Sequence, residues 1–548
     1  MAEPPASPRR TRVRAIASSA LSLLAFVVVW VGLLAPHMID NLTWLAFARI
    51  PLELLVIIAL ALVLPWRATR TTAVIAGVVL AVLVLLTALD LGFHEVLDRR
   101  FDPVNDWAYL GPAYGVLGDS VGSAGAVGVT LTAAVLVLVV LVALPLCVLR
   151  LARVAVHHRR GAILVVTALG TVWIVSAASS LQLTPRTSLA ATKAVRVVQD
   201  EVATVRAGIK DRQTFSKTLA NDPYEDVTSD RLLTGLRGKD VLFVFVESYG
   251  RVAVEGPSFS ERINTVLEAG TDQLRAAGFS SRSAFLTSST FGAASWLAHA
   301  TLQSGLWVNS QQRYNQLVNR ERLTLTDAFG RAGWRTVSDV PANTHPWREG
   351  TTFYHFDKLY DANNVGYRGP KFSYASMPDQ YTLSAFHRLE LAKAGRVPIM
   401  AEIDLVSSHH PWTPLPRLVD WRKVGDGSVF EGMPDEGESP EAVFGDPDRV
   451  RGVYGRSIEY SLGSVISFLQ TYGNPNLVMV MLGDHQPHSY VTGRDAGHDV
   501  PVSVIAHDPS VLDRISGWGW QEGLRPRPDA PVWRMDSFRN RFLEAYGP

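Results

Sequence analysis

Val241-Leu242-Phe243-Val244-Phe245-Val246-Glu247-Ser248-Tyr249 is a run of β-branched and aromatic residues that stops on an acid. A strand with one face in water alternates apolar with polar residues. This run does not alternate, so it reads as a strand buried on both faces. Similar apolar runs recur at 335–340, 399–406, 477–482 and 500–506. Helix-period stretches separate them at about 261–277, 293–304, 323–332, 380–394 and 448–471. Short continuous strands joined through helices predict an α/β fold, a mainly parallel sheet flanked by helices. Residues 430–448 are acidic, rich in Pro and Gly, and read as an exposed loop.

Upstream the chain changes character. Of its 548 residues 47% are hydrophobic, 19% are charged, and mean hydropathy is positive. The apolar residues gather in five stretches, 16–35, 42–65, 72–92, 121–149 and 162–183, each long enough to cross about 30 Å of hydrocarbon. Basic clusters precede the first span (Arg9, Arg10, Arg12, Arg14), part the second from the third (Arg67, Arg70), and part the fourth from the fifth (Arg150, Arg153, Arg159, Arg160). Five spans put all three clusters on one side, which the positive-inside rule makes cytoplasmic. Everything after residue 183 then lies outside, as does the loop 94–120, where Arg99 and Arg100 are an exception flanked by Asp98 and Asp102. No small-residue cleavage site follows the first span, so it is expected to be retained. Arg49 and Glu53, four apart in the second span, read as an intramembrane ion pair or a lipid-headgroup site. The division expected is a transmembrane domain at 1–184, a juxtamembrane linker with a helix near 190–207 at 185–238, and a catalytic domain at 239–548. That helix carries Val195, Val198, Val202 and Val205 roughly on one face. It suits either the membrane surface or solvent. A net charge of +1 gives no case for nucleic-acid binding. The single cysteine, Cys147, falls within the fourth span, which excludes an intramolecular disulfide and a cysteine-based site outside the membrane.

Open α/β sheets build their sites just beyond the carboxyl ends of the strands. Those positions here hold Glu247-Ser248-Tyr249, Ser407-Ser408-His409-His410-Pro411-Trp412 and Gly483-Asp484-His485. Acids and histidines repeated at three strand ends suggest a metal site assembled from several loops. Carboxylate oxygen and imidazole nitrogen suit Mn²⁺ or Zn²⁺, and Mg²⁺ less readily.

With these motifs the sequence resembles the lipoteichoic acid synthases and lipid-linked phosphoethanolamine transferases, membrane members of the alkaline phosphatase superfamily. The resemblance covers the five-span region and essentially all of the chain from Asp240 onward. The family's acid after the first strand matches Glu247, its Asp-His pair matches Asp484 and His485, and its His-x-Pro-aromatic matches at His409. A His-x-x-Pro about a dozen residues beyond the pair matches His498-Asp499-Val500-Pro501. The family nucleophile is a threonine at the start of a helix, which implies Thr290 in Thr287-Ser288-Ser289-Thr290, with Ser289 and Ser295 as alternative registers. A helix amino terminus favours the negative charge such a residue and a phosphate develop. A Thr or Ser there also serves as a plain helix cap. Trp347 and Arg348, near the aromatic stretch 353–358, correspond to a Trp and an Arg of the synthases' headgroup pocket.

The resemblance thus implies that Glu247, Thr290, Asp484 and His485 bind a divalent metal ion. Thr290 attacks phosphorus, and His409, His498, Arg348 and Trp347 meet the substrate, His409 assisting catalysis. The implied reaction moves a phosphoglycerol- or phosphoethanolamine-type headgroup from a membrane phospholipid to an envelope glycan or glycolipid, outside a bacterial plasma membrane. The alternatives are an envelope phosphodiesterase or phosphatase and a non-catalytic membrane assembly protein. No Cys/Ser-x-Pro-x-Arg sequence is present, which excludes formylglycine sulfatase chemistry. His299, Glu402 and Asp404 read as structural, as do His355 and His507, while His410 and His488 have no matched role.

Overall fold

The computed structural model describes residues 8–36, 42–179, 181–184, 187–256, 258–493 and 495–548. Pro185 and the side chains of Arg9, Arg10, Arg12 and Val195 lie outside the described residues. The chain divides into two compact units, Met1–Asp211 and Arg212–Pro548.

The first unit holds α1 (Pro8–Leu34), α2 (Leu52–Val63), α3 (Trp66–Leu97), α4 (Leu110–His157) and α5 (Arg159–Ala178), and α6 (Lys193–Leu219) runs from it into the second. Among the described residues, four stretches are long and apolar enough to cross a membrane: Ile16–Leu34, Trp66–Leu97, Gly122–His157 and Arg159–Ala178. The span expected at 42–65 is not one continuous helix. A 3-10 turn covers Trp44–Ala48, extended backbone follows at Arg49, and α2 has only 12 residues, about 18 Å. Pro51 is the cause, because it lacks an N–H and holds the residue before it extended, so the helix restarts at Leu52. Arg49 therefore lies ahead of the helix, and its Nε donates to the Ser188 carbonyl at 3.0 Å. The longer helices keep large apolar side chains such as Leu131, Leu138, Leu164 and Ile174 exposed, the pattern of helices surrounded by hydrocarbon. Helices α3 and α4 approach so closely that a Cβ on Gly77 would fall 2.3 Å from Pro145 Cα; only glycine fits there.

The second unit is built on nine strands: β1 (Asp240–Val246), β2 (Ser280–Thr287), β3 (Arg335–Val340), β4 (Lys358–Asp361), β5 (Ile399–Leu405), β6 (Leu477–Gly483), β7 (Asp499–Ala506), β8 (Gln521–Glu522) and β9 (Val532–Arg534). Their order is β8-β2-β7-β6-β1-β5-β3-β4, with β9 alongside β2. The run β6-β1-β5-β3-β4 is parallel, while β7 is antiparallel to both β6 and β2. Strand β2 was not legible as a strand, because Ser281 and Ser283 alternate through it, although both are buried.

Helices α7 (Ser260–Ala276) and α10 (Pro447–Tyr472) cover one face, where Leu242, Val244 and Val246 meet Ile263, Leu267, Val465 and Leu469. Helices α8 (Ser295–Ser304), α9 (Leu325–Arg331) and α11 (Phe538–Ala545) cover the other, where Val241, Phe243 and Phe245 meet Leu297, Phe329 and Phe542. Alternate residues of β1 thus serve two apolar layers, which accounts for its unbroken hydrophobic run. The stretch 430–448, expected as loop, contains the short helices Met433–Glu436 and Pro440–Val443.

A buried ionic knot ties the start of this unit to its last helix. Asp222 accepts from Arg539 at 2.6 and 2.9 Å and lies 3.1 Å from Arg322 Nε, with all three side chains nearly fully buried. Burial pushes the Asp222 carboxyl up, but Arg539 and Arg322 more than offset this and hold it below its ordinary value. Asp222→Ala leaves two buried guanidinia without their counter-ion and is expected to cost about 3–5 kcal/mol, read by urea unfolding of the full chain. Because the folded carboxyl titrates below the unfolded one, its stabilisation is present above about pH 4 and is lost as pH falls through the lowered value. The difference between wild type and Asp222→Ala should shrink accordingly in acid.

Candidate metal centre

Strands β1 and β6 run parallel with Val246 opposite Gly483, so Glu247 and Asp484 leave the sheet side by side at its carboxyl end. The approach at Gly483 admits no side chain, since a Cβ there would sit 2.0 Å from the Tyr249 carbonyl oxygen. Asp484 Oδ1 accepts from the backbone N–H groups of Ser248 and His485, both at 2.8 Å. Its Oδ2 is buried with no hydrogen-bond partner. Burial, and then the charge of Glu247, push the Asp484 carboxyl up. His485 Nδ1 lies 2.7 Å from the Gln486 carbonyl. A carbonyl only accepts, so Nδ1 carries a proton and Nε2 is the ring nitrogen turned to the carboxylates. That Nε2 points at Glu247 Oε1 (3.4 Å) and Asp484 Oδ2 (3.5 Å).

The loop after β2 completes the cluster, but not with the residue expected. Helix α8 begins at Ser295 rather than near 293, after Gly292 donates to the Gln486 carbonyl at 3.0 Å and Ala294 turns through φ 67°. Ser295 Oγ lies 3.1 Å from Glu247 Oε2 and 3.2 Å from His485 Nε2. Thr290 is buried five residues before the helix, and its Oγ1 has no hydrogen-bond partner. Ser289 Oγ is engaged with Thr301 Oγ1 and the Leu297 carbonyl. Of the three registers, the fold brings Ser295 to the carboxylates.

The donor set fits a divalent cation. One atom each from Glu247, Asp484 and His485 lie within 4.8 Å of one another. The orphaned Asp484 Oδ2 and the Glu247 carboxylate bring acceptor oxygens together around His485 Nε2, a grouping that a positive charge between them would satisfy. Two oxygens and one nitrogen suit Zn²⁺ or Mn²⁺.

The remaining expected residues are less tightly gathered. His409 is half-buried, its Nδ1 lies 2.5 Å from the His410 carbonyl, and its ring stacks on Tyr374 (centroids 3.6 Å, interplanar 12°). Burial drives its pKa down to about 4, so at neutral pH it is an uncharged ring with Nε2 available as an acceptor. Tyr374 escaped the sequence reading because nothing in its own segment marks it. Trp347 packs on Tyr354 and Phe356. Arg348 is exposed at the start of the short helix Arg348–Thr352. His498 is exposed beside Phe291, and its carbonyl accepts from Ser288 N at 2.9 Å. His299, Glu402 and Asp404, far apart in sequence, form a second compact group.

No protein-family profile and no curated protein matches the chain. Among solved structures it is similar to the lipoteichoic acid synthase LtaP from Listeria monocytogenes, at 15% identity over 54% of this chain and 71% of that one, TM-score 0.34. It is similar to the Streptococcus pyogenes phosphoglycerol transferase GacH in complex with sn-glycerol-1-phosphate, at 13% identity over 61% and 79% of the two chains, TM-score 0.36. It is also similar to the soluble domain of lipooligosaccharide phosphoethanolamine transferase A from Neisseria meningitidis, at 11% identity over 59% and 94%, TM-score 0.36.

Proposed function

We propose that this protein transfers a phosphorus-containing headgroup, of the phosphoglycerol or phosphoethanolamine class, from a membrane lipid to an envelope glycan or glycolipid through a covalent adduct on Ser295. The observation that carries this reading is the Ser295 hydroxyl, 3.1 Å from Glu247 and 3.2 Å from His485 Nε2 at the first residue of α8. Apolar helices of membrane-crossing length in the same chain favour a lipid as donor. A divalent cation held by Glu247, Asp484, His485 and Ser295 would neutralise phosphate charge and lower the hydroxyl pKa.

The chain's own groups do the rest. Glu247 Oε2 orients the Ser295 hydroxyl by accepting its proton in a hydrogen bond. The positive end of the α8 dipole, at Ser295, favours the negative charge of an incoming phosphate. Ser295 Oγ bonds to phosphorus as the phosphorus–oxygen bond to the lipid alcohol breaks, and the hydroxyl proton, handed over through Glu247, ends on the leaving alkoxide. In the second transfer the acceptor oxygen bonds to phosphorus as the bond from phosphorus to Ser295 Oγ breaks. His409, uncharged and fixed by its Nδ1 bond and by Tyr374, offers Nε2 to take the proton of the acceptor hydroxyl in the second transfer. Arg348, Trp347 and His498 are assigned to the headgroup. The catalytic unit is assigned to the outside of a bacterial plasma membrane, with the clusters at Arg67–Arg70 and Arg150–Arg160 inside.

The test is the full chain in nanodiscs containing headgroup-labelled phosphatidylglycerol or phosphatidylethanolamine, with Mn²⁺ or Zn²⁺. Diacylglycerol release and label on the peptide containing Ser295 are expected, and chelation should stop both. Label recovered only as free headgroup phosphate, with an acceptor glycolipid supplied, would make the protein a hydrolase. Absence of any turnover in the metal-loaded chain with either lipid would remove the lipid-donor reading.

A further inference from the structure

The face of α8 that meets the sheet is polar where a buried helix face is ordinarily apolar. Ser295, His299 and Gln303 are spaced four apart along one side of the helix, and every residue from Leu297 to Ser304 is buried. His299 Nδ1 lies 3.1 Å from Glu402 Oε1 and 3.5 Å from Asp404 Oδ1. Gln303 donates to the other oxygen of Glu402, and its own Oε1 accepts from Thr326 N and Oγ1 at 3.1 and 3.2 Å. The His299 ring stacks on Phe245, centroids 3.8 Å apart and 13° from parallel.

The spacings on helix and strand agree. Phe245 and Glu247 are two residues apart along β1 and its end, roughly 6.6 Å. His299 and Ser295 are four residues apart along α8, roughly 6 Å. The pairs Phe245–His299 and Glu247–Ser295 therefore form together, and a slip of one helical turn, about 5.4 Å, breaks both. Apolar packing is non-directional and discriminates weakly between registers, whereas a buried ionic contact must meet its own carboxylates, here Glu402 and Asp404. Fixing register is the best-attested use of such contacts.

We infer that His299, gripped by Glu402 and Asp404, is a positioning residue that sets the register of α8 on the sheet and so holds Ser295 Oγ beside Glu247. This rests on Ser295 being the nucleophile. Burial alone would strip the imidazole of its proton, but Asp404 and Glu402 more than offset that and lift its pKa to about 10. The grip is thus ionic at neutral pH.

The full chain in detergent with Mn²⁺ and bis(p-nitrophenyl) phosphate gives a direct readout, because the burst of nitrophenolate reports the covalent step. His299→Leu/Glu402→Met replaces the ionic grip with apolar bulk. It should stay folded with unchanged KM and metal content, while its burst rate falls about 100-fold, the cost of misplacing a reacting atom by about 1 Å. His299→Asn sets an amide N–H at the place of Nδ1 and should keep most of the burst rate, whereas His299→Gln carries its N–H one bond further out, off that position, and should lose it. That contrast decides the matter if the double variant does not fold. An undiminished burst rate in the folded double variant, equal rates for Gln and Asn, or losses confined to KM or metal content would overturn the proposal. Should Ser295→Ala still give a burst, the nucleophile assignment fails separately. A crystal structure of the double variant then decides the register claim, with the 3.1 Å Ser295–Glu247 contact broken if it holds and intact if it does not.

Discussion

Ser295→Ala is expected to lower turnover by at least roughly 10⁴-fold, the scale seen when a nucleophile is removed from a site whose other parts remain. The variant should fold as the wild type does. Ser295 is not part of the apolar core, and among the described residues its hydroxyl bonds to Glu247 and His485. Metal binding should persist through Glu247, Asp484 and His485, weakened by the loss of one neutral oxygen. Ser295→Thr keeps a hydroxyl at the first position of α8 and should retain measurable activity. Mass spectrometry after incubation with lipid should find the adduct on Ser295 in the wild type and nowhere in the Ala variant. Thr290→Ala supplies the contrast. Thr290 Oγ1 is buried without a hydrogen-bond partner, so its removal should leave turnover within a few-fold and cost no more than about 1–2 kcal/mol. An adduct on Thr290, or its loss in Thr290→Ala alone, would return the chemistry to the register expected from the family resemblance.

Asp484→Asn should be nearly as damaging to activity, for a different reason. The Asn carbonyl can still accept from Ser248 N and His485 N, as Oδ1 does now at 2.8 Å, so the loop is preserved. The buried Oδ2, however, becomes an amide N–H₂ that repels a cation. Metal affinity should fall by more than about 100-fold, beyond what supporting residues around a metal site usually cost. Turnover should fall by about 10³-fold or more. The non-kinetic readout is thermal unfolding. Metal at 100 times the wild-type Kd should stabilise wild type by about 2.7 kcal/mol and the variant by no more than about 0.4 kcal/mol. Equal stabilisation of both proteins by Mn²⁺ and Zn²⁺ would remove the metal-site assignment.

The hydrophobic pattern alone determined the class of fold and pointed to the strand ends that carry most of the candidate metal-binding set. An unbroken apolar strand has to be buried on both faces, and parallel strands carry their functional groups on the residues that follow. Glu247, Asp484 and His485 were therefore legible as positions before any contact was known. The stretches long and apolar enough to cross a membrane were legible for a similar reason, since hydrocarbon demands length and apolarity along the chain itself. The break at Pro51 marked where that reading was too simple.

What only the tertiary structure decided depends on residues distant in sequence. The start of α8 is set by Gly292 bonding to Gln486 and by Ala294 in the left-handed region, so local cues could not choose among Ser289, Thr290 and Ser295. Strand β2 hides Ser281 and Ser283 because their face, shared with Phe285, is the one α7 packs over. His299 finds Glu402 103 positions away, and Tyr374 finds His409 across a separate loop. Periodicity reports which face of an element is buried, because burial repeats with the local geometry of the chain. Which side chains meet at one point depends on strand order and helix register, and those are fixed by packing between elements.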